Sequence, residues 1–83
     1  MPYSYTVYSM DVDSEPAVQT RSDTFSLHEL QQLVGGRIEI VPSFDDTMAF
    51  VVCEDGMYRF GINPHCPDFC GCVVLVDVRL LRM

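Results

Sequence analysis

The chain has 83 residues, of which 48% are hydrophobic; 12 are Asp or Glu, only 5 are basic, and the net charge is −7. The length fits one small domain, 1–83, and the hydrophobic content argues against disorder for most of it. So large an acidic excess argues against direct binding of nucleic acid, because phosphate contacts need a basic surface. No apolar run approaches the ~20 residues of a membrane-spanning helix, and no signal peptide is visible, so we expect a cytosolic protein.

Two strands are predicted before the first helix. Tyr3–Val12 alternates aromatic or β-branched residues with small polar ones, which is typical of a strand, and Ala17–Phe25 is a second, weaker candidate. The polar, acidic segment 11–16 predicts a mobile loop between them.

The helix is the clearest local prediction, over residues 27–34. Ser26 is a good N-cap, and Glu29 stands at the capping-box position three residues later. Gly35-Gly36 predicts the end of the helix, because glycine readily adopts the left-handed conformation of a C-cap. The apolar stripe consists of Leu27, Leu30, Leu33 and Val34.

After the helix the chain favours strands joined by short turns. Asp55-Gly56 predicts a tight hairpin turn, and two prolines with two glycines predict a loop over Gly61–Gly71. The predicted strands are Arg37–Val41, Met48–Cys53, Met57–Phe60 and Cys72–Leu81. We therefore predict an α+β fold, a largely antiparallel sheet of about five or six strands with one short helix on one face.

One block carries a family resemblance. Residues 30–42 read L-x-x-L-V-G-G-x-I-E-x-V-P, and an acidic-Gly turn at 54–56, Asn63 and an apolar strand from Gly71 follow. This pattern, over about 26–80, resembles an uncharacterised family, a domain of unknown function found mainly in bacteriophages, plasmids and other mobile elements. The resemblance implies a genomic setting and a fold, and it carries over no catalytic residues.

Cysteines and a histidine form the most suggestive chemical grouping. Four ligands from such a set can close a tetrahedral zinc site, although the spacings differ from paired Cys-x2-Cys knuckles. Buried or unreactive thiols and a disulfide within the loop are the alternatives. The candidate ligands are Cys53, His65, Cys66, Cys70 and Cys72.

No catalytic residues are predicted. The pair Cys66 and His65 lacks a third group that would orient the base. The paired carboxylates lie in turns, where acidic residues cap and solubilise, and no phosphate-binding loop is present. We therefore expect that the chain is not an enzyme and that it has no cofactor beyond the zinc alternative.

The acidic surface leads to the functional hypothesis. It suits a basic protein partner, and it equally suits plain solubility. With the mobile-element resemblance, we expect a small protein that inhibits a host nucleic-acid-handling defence complex, a CRISPR or restriction subunit, without touching nucleic acid or membrane. The carboxylates expected to bind the partner are Asp11, Asp13, Glu15, Asp45, Asp46, Glu54 and Asp55.

Two alternatives stay open beside this hypothesis. The first is a zinc-binding regulatory module that uses the loop of Cys66, Cys70 and Cys72. The second is a domain that sequesters a small molecule or nucleotide in a partly basic pocket of Arg37, Arg59 and Arg79. Under any of these functions, an exposed edge strand would permit a homodimer.

Overall fold

All five strands of the sheet run antiparallel to their neighbours. The computed structural model describes residues 2–81, with strands β1 (Tyr3–Tyr8), β2 (Val18–Arg21), β3 (Ile38–Pro42), β4 (Met48–Cys53) and β5 (Val73–Asp77), and helices α1 (Leu27–Val34) and α2 (Gly56–Arg59). The strand order is β2-β1-β5-β4-β3, and α1 packs against the sheet. The predicted α+β fold is thus confirmed. Among residues 2–81, none of the helices has the length and apolar content needed to cross a membrane.

Helix α1 begins and ends where the sequence predicts. The Ser26 hydroxyl accepts a hydrogen bond from the Glu29 amide (3.1 Å), and the Glu29 carboxylate accepts one from the Ser26 amide (3.0 Å). These two bonds complete the capping box. At the other end Gly35 has a φ of +82°, and its amide donates to the Gln31 carbonyl (2.8 Å). Glycine suits this left-handed position because it has no Cβ to clash.

The hydrophobic core lies between α1 and the sheet face that the helix covers. Leu30 and Val34 of α1 are buried in one cluster with Val51 of β4 and with Val74 and Val76 of β5. Successive side chains of a strand point to opposite faces. The intervening residues of β4 and β5 therefore form a second face, away from α1, which another part of the chain must cover.

The predicted hairpin at Asp55-Gly56, with a return strand over Met57–Phe60, is wrong. The tight turn that Asp-Gly favours needs a positive φ at both residues, but Asp55 has a φ of −108° and Gly56 is not among the residues with positive φ. The chain enters α2 instead, and β5 pairs with β4. A Cβ at Gly56 would lie 2.5 Å from the Cys70 carbonyl oxygen, so this glycine allows two backbone segments to meet.

Strands β1, β2 and β5 are shorter than the sequence predicts. The corresponding predictions are Tyr3–Val12, Ala17–Phe25 and Cys72–Leu81. Residues 11–16 lie in an exposed loop after β1. β5 ends at Asp77, because its carboxylate accepts a hydrogen bond from the Arg79 amide (2.9 Å) and caps a 3-10 turn over Val78–Leu80. Side-chain capping of this kind competes with the extended conformation.

Acid is expected to weaken this end of the sheet through Asp77. The Arg79 guanidinium donates two hydrogen bonds to the buried Asp77 carboxylate (2.9 and 2.6 Å), and with the Arg79 amide they hold the pKa of that carboxyl below its usual range. Such a carboxyl stabilises the fold above its unfolded pKa and loses this contribution as the pH falls through its folded pKa. The stability difference between wild type and Asp77→Asn should therefore shrink below about pH 4.

Urea unfolding from neutral to acid pH measures this difference directly. Glu15→Gln is the control, since it removes an exposed carboxylate outside the Asp77 network. A difference between wild type and Asp77→Asn that stays constant over the whole range would contradict the assignment.

Candidate functional site

The loop between α2 and β5 covers part of the sheet face opposite α1. Its anchor is Asn63, whose side chain is fully buried. The Asn63 side-chain amide donates to the carbonyls of Tyr8 (2.9 Å) and Gly71 (2.8 Å). Its side-chain oxygen accepts from the amides of His65 (2.8 Å) and Cys66 (3.0 Å). Both donors and both acceptor positions of the side chain are filled, which fixes the loop to the ends of β1 and β5.

Beyond this loop the same sheet face forms an open groove of about 900 Å³. Phe50 of β4 and Leu75 of β5 line it, together with Phe69 of the loop. The Phe50 and Phe69 rings contact each other with centroids 5.2 Å apart. All three side chains are only half-buried, so the groove presents apolar surface to anything that enters it.

The β3–β4 hairpin carries an aromatic ring at this groove. Phe44 is one of the lining residues, yet its relative exposure is 111%. The turn around it is well fixed, because the Ser43 hydroxyl donates to the Met48 carbonyl (3.1 Å) and the Asp45 carboxylate accepts from the Thr47 amide (2.9 Å). A large exposed apolar side chain beside an apolar groove is typical of an interaction site.

The seven carboxylates of the predicted acidic face are all exposed but do not lie together. In the sheet register, Met48 pairs with Asp77 at one end, and Tyr8 pairs with Val73 at the other. The two ends are separated by about one strand length, roughly 17 Å. Asp45 and Asp46 lie at the first end, beside the groove, whereas the second end carries Asp11, Asp13, Glu15, Glu54 and Asp55.

Three of these carboxylates are engaged inside the protein. The Asp11 carboxylate accepts from the Asp13 amide (2.9 Å), Asp45 fixes its own hairpin, and Asp55 accepts from the Cys53 thiol (3.1 Å). Among residues 2–81, the other four side chains have no hydrogen bond or ion pair and are available to a partner. They are Asp13, Glu15, Asp46 and Glu54.

Among residues 2–81, three of the four arginines are paired with carboxylates of the same chain. Each pair places a guanidinium nitrogen near a carboxylate oxygen and thereby reduces the free positive charge of the surface. The pairs are Arg21–Glu29 (3.0 Å), Arg59–Asp55 (3.7 Å) and Arg79–Asp77 (2.6 Å).

The basic pocket expected from three arginines does not form within the described residues. Arg37 precedes β3, at the sheet end where Ile38 pairs with Cys53. Arg59 lies near this end, since a Cβ at Gly36 would meet its guanidinium. Arg79 follows β5 at the opposite end, so the three side chains do not converge.

The predicted zinc ligands lie on different faces of the sheet. Cys53 is buried in the core beneath α1, whereas His65 and Cys66 line the groove on the other face. All four cysteines are free, and the part of the chain that is described, 2–81, contains no cluster of three or more His, Cys, Asp or Glu that could hold a metal ion. The candidate set with Cys70 and Cys72 is thus not assembled in this structure, and zinc binding stays a prediction.

The neighbouring Cys66 and His65 lack the features of a nucleophile and its base. His65 Nε2 makes a hydrogen bond to the Asp11 carbonyl (2.8 Å). Burial, and then the charge of Asp68, raises the pKa of the Cys66 thiol, and burial also raises the pKa of the Cys53 thiol. A reactive cysteine needs a lowered pKa, so both thiols stay protonated at neutral pH.

Sequence reasoning missed two residues that line the groove, Phe44 and Asp68, and it named Asn63 only as part of the family pattern, without its role as the anchor of the loop. Phe44 stands in a short polar turn, and an aromatic residue in such a turn is the one signal that was available. Asn63 lies among prolines and glycines, and nothing local distinguishes a buried loop amide from an exposed one. Asp68 lines the groove because the loop that carries it folds over the sheet, and the sequence does not show that path.

Comparison with known proteins gives one match. A family described as Domain of unknown function (DUF3846) matches residues 5–79. The expected membership of a domain of unknown function is therefore confirmed, and the match begins well before residue 26, where the resemblance was expected to start. No curated protein and no solved structure was found to match.

Proposed function

Because the chain belongs to the DUF3846 family, whose function is unknown, we propose its role from its surface: it is a small, non-enzymatic protein that binds a basic surface of a protein partner. The partner we propose is a host nucleic-acid-handling defence complex, of the CRISPR or restriction type. The protein would inhibit it in the host cytosol, as the product of a phage or another mobile element.

The observation that carries the proposal is the distribution of charge. The sequence has twelve acidic residues and only five arginines. Three of those arginines already form ion pairs with carboxylates of the same chain. Exposed carboxylates stand at both ends of the sheet. Such a surface repels nucleic acid and attracts a protein that holds nucleic acid in a basic channel.

Inhibition follows from competition for that channel. A basic channel gains much of its affinity from contacts with phosphates, and a compact acidic domain offers carboxylates in their place. The mobile-element setting rests on the resemblance of residues 26–80 and supplies the reason for inhibiting a defence complex.

A pull-down of the tagged protein from host lysate tests the proposal, with and without nuclease. We expect a stoichiometric protein partner that survives nuclease and loses nucleic-acid binding in the complex. A partner lost on nuclease treatment, or a captured protein without a basic surface, would contradict it. Metal analysis and native mass spectrometry of the same sample would reveal a zinc ion or a retained small ligand, the two alternatives.

Neutralising the available carboxylates is expected to weaken partner binding. The triple variant Asp13→Asn, Glu15→Gln, Glu54→Gln removes three charges at one end of the sheet without breaking an internal side-chain contact among residues 2–81. Since an exposed ion pair contributes up to about 1 kcal/mol, we expect an affinity about tenfold lower at low salt and a weaker salt dependence. Surface plasmon resonance over a salt series measures both.

The control changes the net charge equally but elsewhere. Ser22→Lys, His28→Lys and Gln32→Lys, all exposed, also raise the net charge by three. If this control lowers the affinity as much as the triple variant, total charge and not the carboxylate positions drives binding. If neither variant changes the affinity, the electrostatic proposal fails.

A further inference from the structure

We propose that the groove beside the β3–β4 hairpin is a docking cleft for a partner segment with one large apolar side chain flanked by Lys or Arg. This inference rests on the proposed function and names the partner chemistry of one part of the acidic surface. Binding in this cleft depends on apolar contacts as well as on charge.

The apolar part of the cleft comes from three separate elements. Phe50 and Leu75 belong to adjacent central strands, and Phe69 comes from the loop that Asn63 anchors. Among residues 2–81 these three side chains are only half-buried, and the cleft of about 900 Å³ has room for one aromatic or long aliphatic side chain. Phe44 adds a freely exposed ring at the hairpin, which can close over such an anchor.

Charge selects the flanking residues of the partner. Asp45 and Asp68 line the cleft, and no Lys or Arg does so among the described residues. Asp46 is the next residue of the hairpin, and its carboxylate has no hydrogen bond or ion pair with the part of the chain that the structure describes. Interfaces commonly place an apolar anchor at the centre and complementary charge at the rim, so basic residues beside the anchor fit this cleft.

The same charges disfavour the other occupants. A second copy of this chain would bring Asp45 and Asp68 against the like charges of its own cleft, on a molecule of net charge −7. An anionic lipid surface or a nucleic acid would meet the same repulsion. A basic segment with an apolar anchor is therefore the occupant that both the shape and the charge favour.

Fluorescence anisotropy with synthetic peptides tests the cleft. The probe is a short labelled peptide with a Trp-Leu pair between two Lys-Arg pairs. Two matched peptides replace Trp-Leu by Gly-Ser, or each Lys-Arg by Glu-Glu. We expect the probe to bind at least about tenfold more tightly than either matched peptide, because loss of an anchor or of complementary charge each weakens an interface by that order.

Variants then place the binding in the cleft. Phe44→Ala should weaken binding of the probe about tenfold, and Tyr58→Ala is its control, since Tyr58 is an exposed aromatic residue (86%) on α2. Asp68→Asn should weaken binding and its salt dependence, whereas Asp23→Asn, another exposed carboxylate, should not. Amide chemical shifts of Phe50, Phe69 and Leu75 should move on titration with the probe.

Several outcomes would overturn the inference. Failure of the probe to bind at about millimolar concentration, or equally tight binding of the acidic peptide, would exclude this occupant. Equal effects of Phe44→Ala and Tyr58→Ala would exclude the cleft as the binding site. Amide chemical shifts of the cleft residues that depend on protein concentration without the probe would identify a second copy as the occupant. Failure here is distinguishable from failure of the proposed function. If Phe44→Ala still captures the partner from lysate while the charge triple variant does not, the acidic surface binds and the cleft does not.

Discussion

Asn63→Ala is expected to lower the free energy of unfolding by about 3 kcal/mol. The change removes four hydrogen bonds at once and leaves the Gly71 carbonyl without its buried partner. A buried polar group left unpaired costs about 1–3 kcal/mol, and water can replace some of the other three bonds at the more open positions. A chain of this length has a total stability of about 4–12 kcal/mol, so the loss is a large share of it. Urea unfolding followed by circular dichroism measures the change.

The control for Asn63→Ala is Gln32→Ala. It removes another side-chain amide, at an exposed position of α1, and should change the stability by less than about 0.5 kcal/mol. Asn63→Asp tests the donors separately, because a carboxylate can still accept from the amides of His65 and Cys66 but cannot donate to the two carbonyls. If Asn63→Ala is as stable as Gln32→Ala, the loop is not held by this side chain.

The same substitution connects stability with the proposed cleft. Asn63 fixes the loop that carries Phe69 and Asp68, which form one wall of the cleft. Hydrogen exchange should therefore increase in the loop before it increases in β4 and β5, since loops open more readily than core strands. The folded fraction of Asn63→Ala should also bind the peptide probe more weakly than the wild type does, because the loop that forms one wall of the cleft is less fixed.

The first helix could be predicted residue by residue because its determinants are local. Ser26 and Glu29 satisfy each other's amides, Gly35 supplies the left-handed C-cap, and all three lie within ten positions of sequence. Strand β4 could be predicted as well, since its apolar run leaves little alternative to a buried strand. The short turn predicted between β3 and β4 is present at residues 43–47, but β4 and β5 pair across the long segment 54–72.

The segment 55–60 after β4 could not be predicted, because distant contacts decide its structure. Asp55-Gly56 has the local preference of a hairpin turn, but Gly56 lies against the backbone of Cys70, and that contact favours α2. The groove likewise depends on the path of a loop over the sheet, and this path depends on one buried amide, Asn63. No periodicity in the sequence records either feature.

The acidic residues show a further limit of sequence reasoning. Their number and exposure could be predicted, but their position in space could not, because residues far apart in sequence share an end of the sheet and near ones do not. Glu54 lies at the same end as Asp13, whereas Asp46 lies about one strand length away. The register of the strands decides where these carboxylates lie, and the amino-acid composition contains no information on the register.

Gly56→Ala is expected to lower the free energy of unfolding by about 2–3 kcal/mol, since an added methyl group in a filled space forces the surroundings to move. The new Cβ would lie 2.5 Å from the Cys70 carbonyl oxygen, and a backbone atom cannot swing aside as a long side chain can. The matched control is Gly61→Ala, whose Cβ would meet only the end of Met10 at 3.9 Å. Chemical unfolding of both variants decides the point. Equal stabilities would mean that α2 does not pack closely on the loop, and that the failed hairpin prediction needs another cause.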